Sequence, residues 1–280
     1  MKNKSFTLIE ILVVIIIIGI LVSVVLFSTN DSTEKRKRLE VLTFSEGAKG
    51  KNLDSLISEW NFDEGDARDT WGNNNGTVTG ATYVTKSENR CVYGGCYSFD
   101  GDDYIEILYS SNLNNPNSFT LSAWAKSSIP GSSYTDVGFI LDIGEITTNG
   151  YGIFTESNKV GGYYNNKSLY STNPLDTDWH NYVFAYNGTH FRFYRDGKIF
   201  ANPDVVTVGT IYNYPLRIGA QSKSLARYFY GLIDDVRIYK FALSTSQIKQ
   251  EYIAGLNSLL ANNNISKEEY DQRLNSLSFK

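Results

Sequence analysis

Residues 187–198, "NGTHFRFYRDGK", hold a reversal signal at each end and an alternating aromatic run between them. Asn187-Gly188 and Asp196-Gly197 are dipeptides that accept the positive φ values of a tight hairpin turn, so the chain is expected to enter and leave this stretch by folding back. Phe191 and Phe193 fall at the two-residue period of a strand, which puts both rings on one face. The stretch predicts a strand held between hairpins.

The same texture extends from Leu53 to about Leu243. "CYSFDGDDYIEI", "FTLSAWAK", "NYVFAYNG", "HFRFYRDGKIF", "PLRIGA" and "LIDDVRIY" each read as strands of five to eight residues between turn-forming residues. No helical stretch of useful length interrupts them, which argues for a sandwich or jelly roll. The composition agrees: 20 Tyr and 23 Gly against 5 Pro and 1 Met suit a β-rich, turn-rich domain. At about 190 residues the segment can bury a full core by itself. A net charge of −4 gives no sign of the basic surface that nucleic acid requires.

Five segments together, "EWNFDEGDARDTWGNNNGTV", "CYSFDGDDYIEI", "FTLSAWAK", "DWHNYVFAYNGTHFRFYRDGK" and "YGLIDDVRIYKFALSTSQIKQEY", resemble laminin-G-like, concanavalin-A-like jelly-roll domains from about Ile57 to Tyr252. The resemblance implies two antiparallel sheets packed face to face. Trp60, Phe62, Phe99, Trp124, Trp179, Phe191, Phe193 and Ile238 are then expected in the core or on sheet faces. It also makes Trp179-His180 the start of a strand, with His180 packed or hydrogen-bonded rather than catalytic. His180 and His190 are the only histidines, too few for a His-based metal or nucleophile site.

Cys91 and Cys96 flank Val-Tyr-Gly-Gly, a spacing that lets a strand–turn–strand bring the sulfurs together. A disulfide here would mark an oxidising, exported location. Zinc lacks further ligands nearby, and two buried free thiols are the remaining alternative.

"ILDIGE", residues 140–145, nearly matches the active strand of glucanases with this fold, which reads Glu-hydrophobic-Asp-hydrophobic-x-Glu. Asp142 and Glu145 occupy the last two acid positions, but Ile140 occupies the first. A retaining glycosidase needs two carboxyls in distinct roles, so the domain is expected to be non-catalytic. Calcium is the expected cofactor, in a structural role. Hard cations take carboxylate and carbonyl oxygens from turns, and "DTWGNNNG" offers Asp69, Asn73 and Asn75 while "LIDDVRIY" offers Asp234 and Asp235. Asp69, Asn73 and Asp234 are the expected ligands, with Asp63 in reserve; the other reading is that these are turn-forming Asx residues.

After the sandwich, residues 244–280 turn helical. Ser244 with Gln247 and Ser266 with Glu269 fit capping boxes. Leu256, Leu259, Leu260, Ile265, Tyr270 and Leu274 are expected to form the seam of a short helical hairpin turning at Asn262–Asn264.

The other end of the chain differs in kind. "KSFTLIEILVVIIIIGIL" opens a predominantly apolar run from Phe6 to Phe27 in which Glu10 is the only charged residue. As a helix these residues span ~33 Å, enough for a hydrocarbon core of ~30 Å. One acid inside such a span is costly, and neither a signal peptide nor a plain anchor gives it a purpose. The motif closely resembles the N-terminus of type IV pilins and pseudopilins. The resemblance implies that a prepilin peptidase removes a leader, Met1–Ser5, and methylates the new amine of Phe6. It implies that Glu10 meets the N-terminal amine of a neighbouring subunit and sets the assembly register. Ser5 stands where that family has Gly. Basic residues are denser after the span (Lys35–Arg38) than before it (Lys2, Lys4), which the charge rule would read as body inside. The resemblance implies the reverse, leader inside and body outside.

The expected organisation is a leader (1–5), a transmembrane and assembly helix (6–27), a helical extension and linker (28–52), a jelly roll (53–243) and a helical tail (244–280). The expected function is a pilin-like subunit, minor or at the tip, displaying a non-catalytic domain for adhesion or glycan binding. Its partners would be the peptidase, other pilin-like subunits, the membrane and a glycan or surface-protein ligand, with no nucleic acid. It would sit in the cytoplasmic membrane before assembly and in a surface filament or pseudopilus afterwards. A single-pass binding protein that never polymerises and an anchored glycan hydrolase are the alternatives.

Overall fold

The computed structural model describes residues 53–113, 117–129, 137–144, 150–171, 174–200, 204–205 and 213–277. The predicted leader with Ser5, the helix with Phe6 and Glu10, the extension 28–52 and Glu145 lie outside these residues. No helix among the described residues is long and apolar enough to cross a membrane.

The first half of the domain runs through β1 (Leu56–Trp60), β2 (Gly76–Thr79), β3 (Thr82–Val84), β4 (Cys96–Asp100), β5 (Tyr104–Ile107), β6 (Phe119–Ser127), β7 (Gly138–Ile143) and β8 (Tyr151–Glu156). The second half adds β9 (Lys159–Tyr164), β10 (Lys167–Tyr170), β11 (His180–Tyr186), β12 (His190–Arg195), β13 (Lys198–Ile199), β14 (Asp204–Val205), β15 (Leu216–Ile218) and β16 (Tyr230–Tyr239). Two helices close it, α1 (Thr245–Ala261) and α2 (Lys267–Asn275).

Among the described residues nine strands form one sheet, in the order β13-β12-β11-β6-β16-β4-β3 with β1 on β16 and β14 on β12. Seven form the other, in the order β10-β9-β8-β7-β15-β5-β2. The β12 hairpins form as their turn residues dictate. Asp196 and Gly197 take φ of 54° and 71°, both left-handed, between β12 and β13. At the other end the Asn187 carboxamide oxygen accepts the N–H groups of Thr189 and His190 at 3.1 and 2.8 Å. β4 and β5 are adjacent in sequence yet belong to different sheets. The chain crosses at Gly101, with φ of 110°, while Asp103 accepts the N–H of Asp100 at 2.8 Å and ties the crossing.

Between the sheets lies one apolar core. Phe119, Tyr151, Tyr164, Phe184 and Tyr186 meet there, the Phe119 and Tyr151 rings stacked 4.2 Å apart. Trp60, Phe62, Phe99, Phe191, Phe193 and Ile238 all belong to this core, while Trp124 and Trp179 are buried outside it.

α1 covers the outer face of the nine-stranded sheet. Ser244 caps it with the expected reciprocal box to Gln247, and Ser266 accepts the N–H of Glu269 to start α2. Val183, Ala185, Tyr194 and Tyr239 on the sheet close around Ile248 of the helix and Leu243 before it. Of the residues expected in the helix–helix seam, Leu256, Leu259, Ile265 and Tyr270 are buried. Ile248, Tyr252, Ile253, Leu256 and Leu259 are α1's buried apolar residues, while Leu260 and Leu274 stay only half-buried. Ile248 and Tyr252 of α1 pack on the sheet, while the Tyr270 hydroxyl of α2 donates to Asn257 of α1 at 2.6 Å.

Candidate binding site and the acidic bulge

β16 pairs with β6 along one edge, but its other edge is shared. β4 takes Tyr230–Ile233 and β1 takes Val236–Tyr239. Where one partner gives way to the other the register slips, and Asp235 adopts φ of 49°. Asp234, beside it, accepts the N–H groups of Val92 and Tyr93 on Oδ2 at 2.8 and 2.9 Å. That draws the loop closed by the Cys91–Cys96 disulfide down onto the sheet. The other oxygen, Oδ1, is buried with no hydrogen-bond partner. Asp235 pairs with Arg237 at 2.9 Å, and Arg237 reaches on to Glu59 at 2.8 Å. Asp63 accepts the N–H of Gly95 at 3.1 Å. Burial, reinforced by the charge of Asp235, pushes the Asp234 carboxyl well above the usual carboxylate range. Burial also raises Asp235, to about 7, against the pull of Arg237.

Asp69 does other work. Its Oδ1 accepts the N–H groups of Glu59, Trp71 and Gly72 at 3.0, 3.1 and 2.8 Å, and Oδ2 accepts that of Asn74 at 2.9 Å. Burial opposes its charge, but these backbone bonds outweigh it and hold the pKa below the ordinary value. A carboxylate offers about four lone-pair positions, and Asp69 spends them clasping its loop to β1. The expected ligand set is corrected accordingly: Asp69 is a loop clasp, and Asn73 stands exposed in the loop it clasps. Asp234 binds a different segment. At the bulge Asp234 Oδ1 is buried without a hydrogen-bond partner, and the charges of Asp235 and Asp63 both act to raise the Asp234 pKa. Among the described residues the three acids whose oxygens come together are Asp100, Asp102 and Asp103.

His180 is buried and clamped, as its expected structural role requires. Nδ1 lies 2.6 Å from Asp196 and Nε2 lies 2.7 Å from Asp176. Arg195 also reaches Asp176, at 2.5 Å. Burial lowers the ring's pKa and Arg195 opposes its charge, but the charge of Asp196 and the bonds to both carboxylates outweigh them and raise it. This group fastens the loop before β11 to the β12–β13 turn.

Asp142 is fully buried. It accepts the Tyr163 hydroxyl on one oxygen and the N–H of Ser222, at 2.6 Å, on the other. Burial raises its carboxyl to about 7. Ile140, at the first acid position of the glucanase pattern, lies in the sandwich core.

A cleft of about 410 Å³ opens beside the disulfide loop. Lys126, Ser127 and Ser128 at the end of β6, and Leu232 opposite on β16, contribute from the sheet. Arg90, Thr177 and Asn264 line the rest. The α1–α2 turn is held in place from behind. Ser258 and Asn262 donate to the Val92 carbonyl at 2.6 and 3.1 Å, and Asn264 donates to that of Cys91 at 2.9 Å. Trp179 donates its indole N–H to the Arg90 carbonyl at 2.9 Å, fixing the neighbouring wall.

Two antiparallel sheets around an aromatic core, with a polar cleft at one end, define a lectin-type β-sandwich. The chain belongs to the concanavalin A-like lectin/glucanases superfamily, whose profile matches residues 99–249. Residues 1–26 match the prokaryotic N-terminal methylation motif, so the chain carries a type IV pilin leader motif ahead of that domain. Two curated relatives are fimbrial proteins of Neisseria meningitidis. That of serogroup B (strain MC58) is 34% identical over 125 residues, and that of serogroup A (strain Z2491) is 32% identical over 125. Each match covers 44% of this chain and 66% of the relative, just under two thirds of its length. Among solved structures, domain 4 of an extracellular GH43 arabinanase from Geobacillus stearothermophilus, in complex with arabinotriose, is similar with a TM-score of 0.53 and 20% identity. That alignment covers 70% of this chain and 97% of that one. The binding domain of Paraclostridial Mosquitocidal Protein 1 aligns with a TM-score of 0.60 and 13% identity, covering 73% and 53%. The ligand binding domain of botulinum neurotoxin serotype D, in complex with N-acetylneuraminic acid, aligns with a TM-score of 0.59 and 15% identity, covering 75% and 53%.

Proposed function

We propose that this chain is a pilin-like subunit that is inserted in the cytoplasmic membrane, processed at Ser5–Phe6, and assembled with other pilin-like subunits so that its sandwich is displayed at the surface for adhesion or glycan binding. One observation carries the reading: a prepilin-type methylation motif and a lectin-type sandwich occur in the same chain. A body of this size would crowd a dense filament, which favours a minor or tip position. Filaments purified from the source and probed for this chain test the reading. It should be found there with N-methylated Phe6 as its first residue. Recovery only in the membrane fraction would instead support an anchored binding protein that does not polymerise.

The non-catalytic reading is supported by the burial of Asp142, with a hydrogen bond on each oxygen, and by Ile140 in the core. Incubation with polysaccharides checks it: release of reducing sugar by the wild type, lost in Glu145→Ala, would overturn it. A structural calcium ion is proposed at the acidic bulge, with Asp234, whose Oδ1 is buried without a partner, as a ligand and the exposed Asp63 in reserve. The ion would neutralise the buried carboxylates and pin the disulfide loop to β16.

A further inference from the structure

Resting on the glycan-binding reading above, we infer that the cleft between the disulfide loop and the α1–α2 turn takes a carboxylate-bearing sugar residue. Its lining holds two cations, Arg90 and Lys126, three hydroxyls and an amide, and none of these seven residues is acidic. On a chain of net charge −4 this is a local reversal of sign rather than part of a general basic surface.

The donor chemistry selects the ligand. Arginine and lysine offer eight N–H donors between them and no acceptor, and a guanidinium matches a planar carboxylate in a two-point contact. Lys126 is half-buried on β6, where a charge is screened less than at an open surface and attracts a counter-charge more strongly. Arg90 has a loose contact with Glu88 at 3.6 Å, both side chains about half exposed, so a ligand carboxylate can take it over at little cost. Ser128 and Thr177 suit sugar hydroxyls, which both donate and accept, while the Ser127 hydroxyl is spent on the backbone of Ile129. Leu232 and the methylene stem of Lys126 lie opposite each other across β6 and β16 and give an apolar patch for the C–H face of a ring. A volume of about 410 Å³ falls at the lower end of small-molecule sites, about 300–1,000 Å³, and fits one or two sugar units rather than a long chain.

The test is titration calorimetry on the full chain in detergent. 3′-Sialyllactose and digalacturonate are the carboxylated probes; lactose and digalactose are the neutral ones. Lys126→Met keeps the stem and removes the charge, and Arg90→Gln leaves the backbone carbonyl that Trp179 uses. Each should weaken carboxylated-probe binding at least tenfold with no change in melting temperature, while Lys198→Met, outside the cleft, should not. Raising salt should weaken the same binding. The two acidic probes tell a sialic acid from a uronic acid as the source of the carboxylate. Neutral probes binding as tightly as acidic ones, or both cleft variants binding as wild type, overturns the assignment and leaves the adhesion reading standing. A chain that binds no saccharide in a broad neutral and acidic panel overturns both.

Discussion

The indole of Trp124 and the ring of Tyr252 lie nearly parallel, with centroids 5.7 Å apart and planes 17° from each other. This stack joins the central strand of the larger sheet to α1. A Cβ on Gly255 would stand 2.2 Å from the same indole, so the helix approaches as closely as it does because that position has no side chain.

The tail is therefore part of the folded domain. Tyr252→Ala should cost ~3–5 kcal/mol, the range for removing a buried aromatic ring. Gly255→Ala should cost ~1–3 kcal/mol by overpacking. Urea unfolding of both variants checks this, and wild-type stability in either would show that α1 is only loosely attached.

His180 should make stability depend on pH in a defined direction. Its folded pKa is raised, so the imidazolium's contribution is fully present below the unfolded value of about 6.5 and is lost as pH rises through the folded one. The stability difference between wild type and His180→Gln should shrink accordingly on going from pH 6 to pH 9. Asp142 and Asp235 titrate in both proteins and cancel in the difference. A pH-independent difference would show that the ring is not charged in the fold.

Calcium binding at the bulge should strengthen with pH. Asp234 and Asp235 have raised pKa values, so protons compete with the cation below about pH 7. Keeping Asp235 ionised costs stability that is absent at low pH and grows as pH rises from about 4 through 7, and the cost for Asp234 grows as pH rises through its own raised pKa. The rise in melting temperature on adding calcium should be larger at pH 8 than at pH 5.5. Asp234→Asn should remove that rise. Asp69→Asn should lower stability overall yet leave the rise intact. Indifference to both calcium and chelator would eliminate the site.

At the N-terminus, Ser5→Gly should leave processing equal or faster, as read by mass spectrometry of the mature chain. Glu10→Ala should insert into membrane at least as well as wild type, because a buried acid is removed, yet enter filaments poorly. Normal incorporation of that variant would dissociate the carboxylate from register setting.

Much of this was legible in the chain. Phe191 and Phe193 between two Asx-Gly turns announce a strand, and they lie in the core between hairpins. The Cys91–Cys96 spacing allowed the disulfide that the fold contains, with free thiols as the alternative it replaces. β8–β10 were less visible because Gly161 and Gly162 dilute strand propensity. Those glycines are there for space: a Cβ at Gly162 would meet Phe184 at 2.3 Å, and one at Gly161 the Leu169 carbonyl at 2.6 Å. Ser157-Asn158, with φ of 45° and 69°, was the turn signal that could have revealed the β8–β9 hairpin. Asp69 misled because an aspartate in a Gly-Asn loop has the same local sequence whether its oxygens face a cation or backbone N–H groups. The cleft left no motif at all, since its walls come from segments as distant as Arg90 and Asn264.

The shared edge of β16 also sets how the domain bears load. Anything tethering the domain by its N-terminal side pulls on β1 at Leu56, which pairs with Tyr239. A ligand held at Lys126 and Leu232 pulls from the opposite end of β16, seven residues or roughly 23 Å away at ~3.3 Å per residue. Tension between the two runs along the strands rather than across them. The β1–β16 hydrogen bonds are then loaded in shear and must fail together instead of opening one by one like a zip. On the proposed reading, anchoring through β1 and a ligand in the cleft would load these strands lengthwise, the direction in which they resist best.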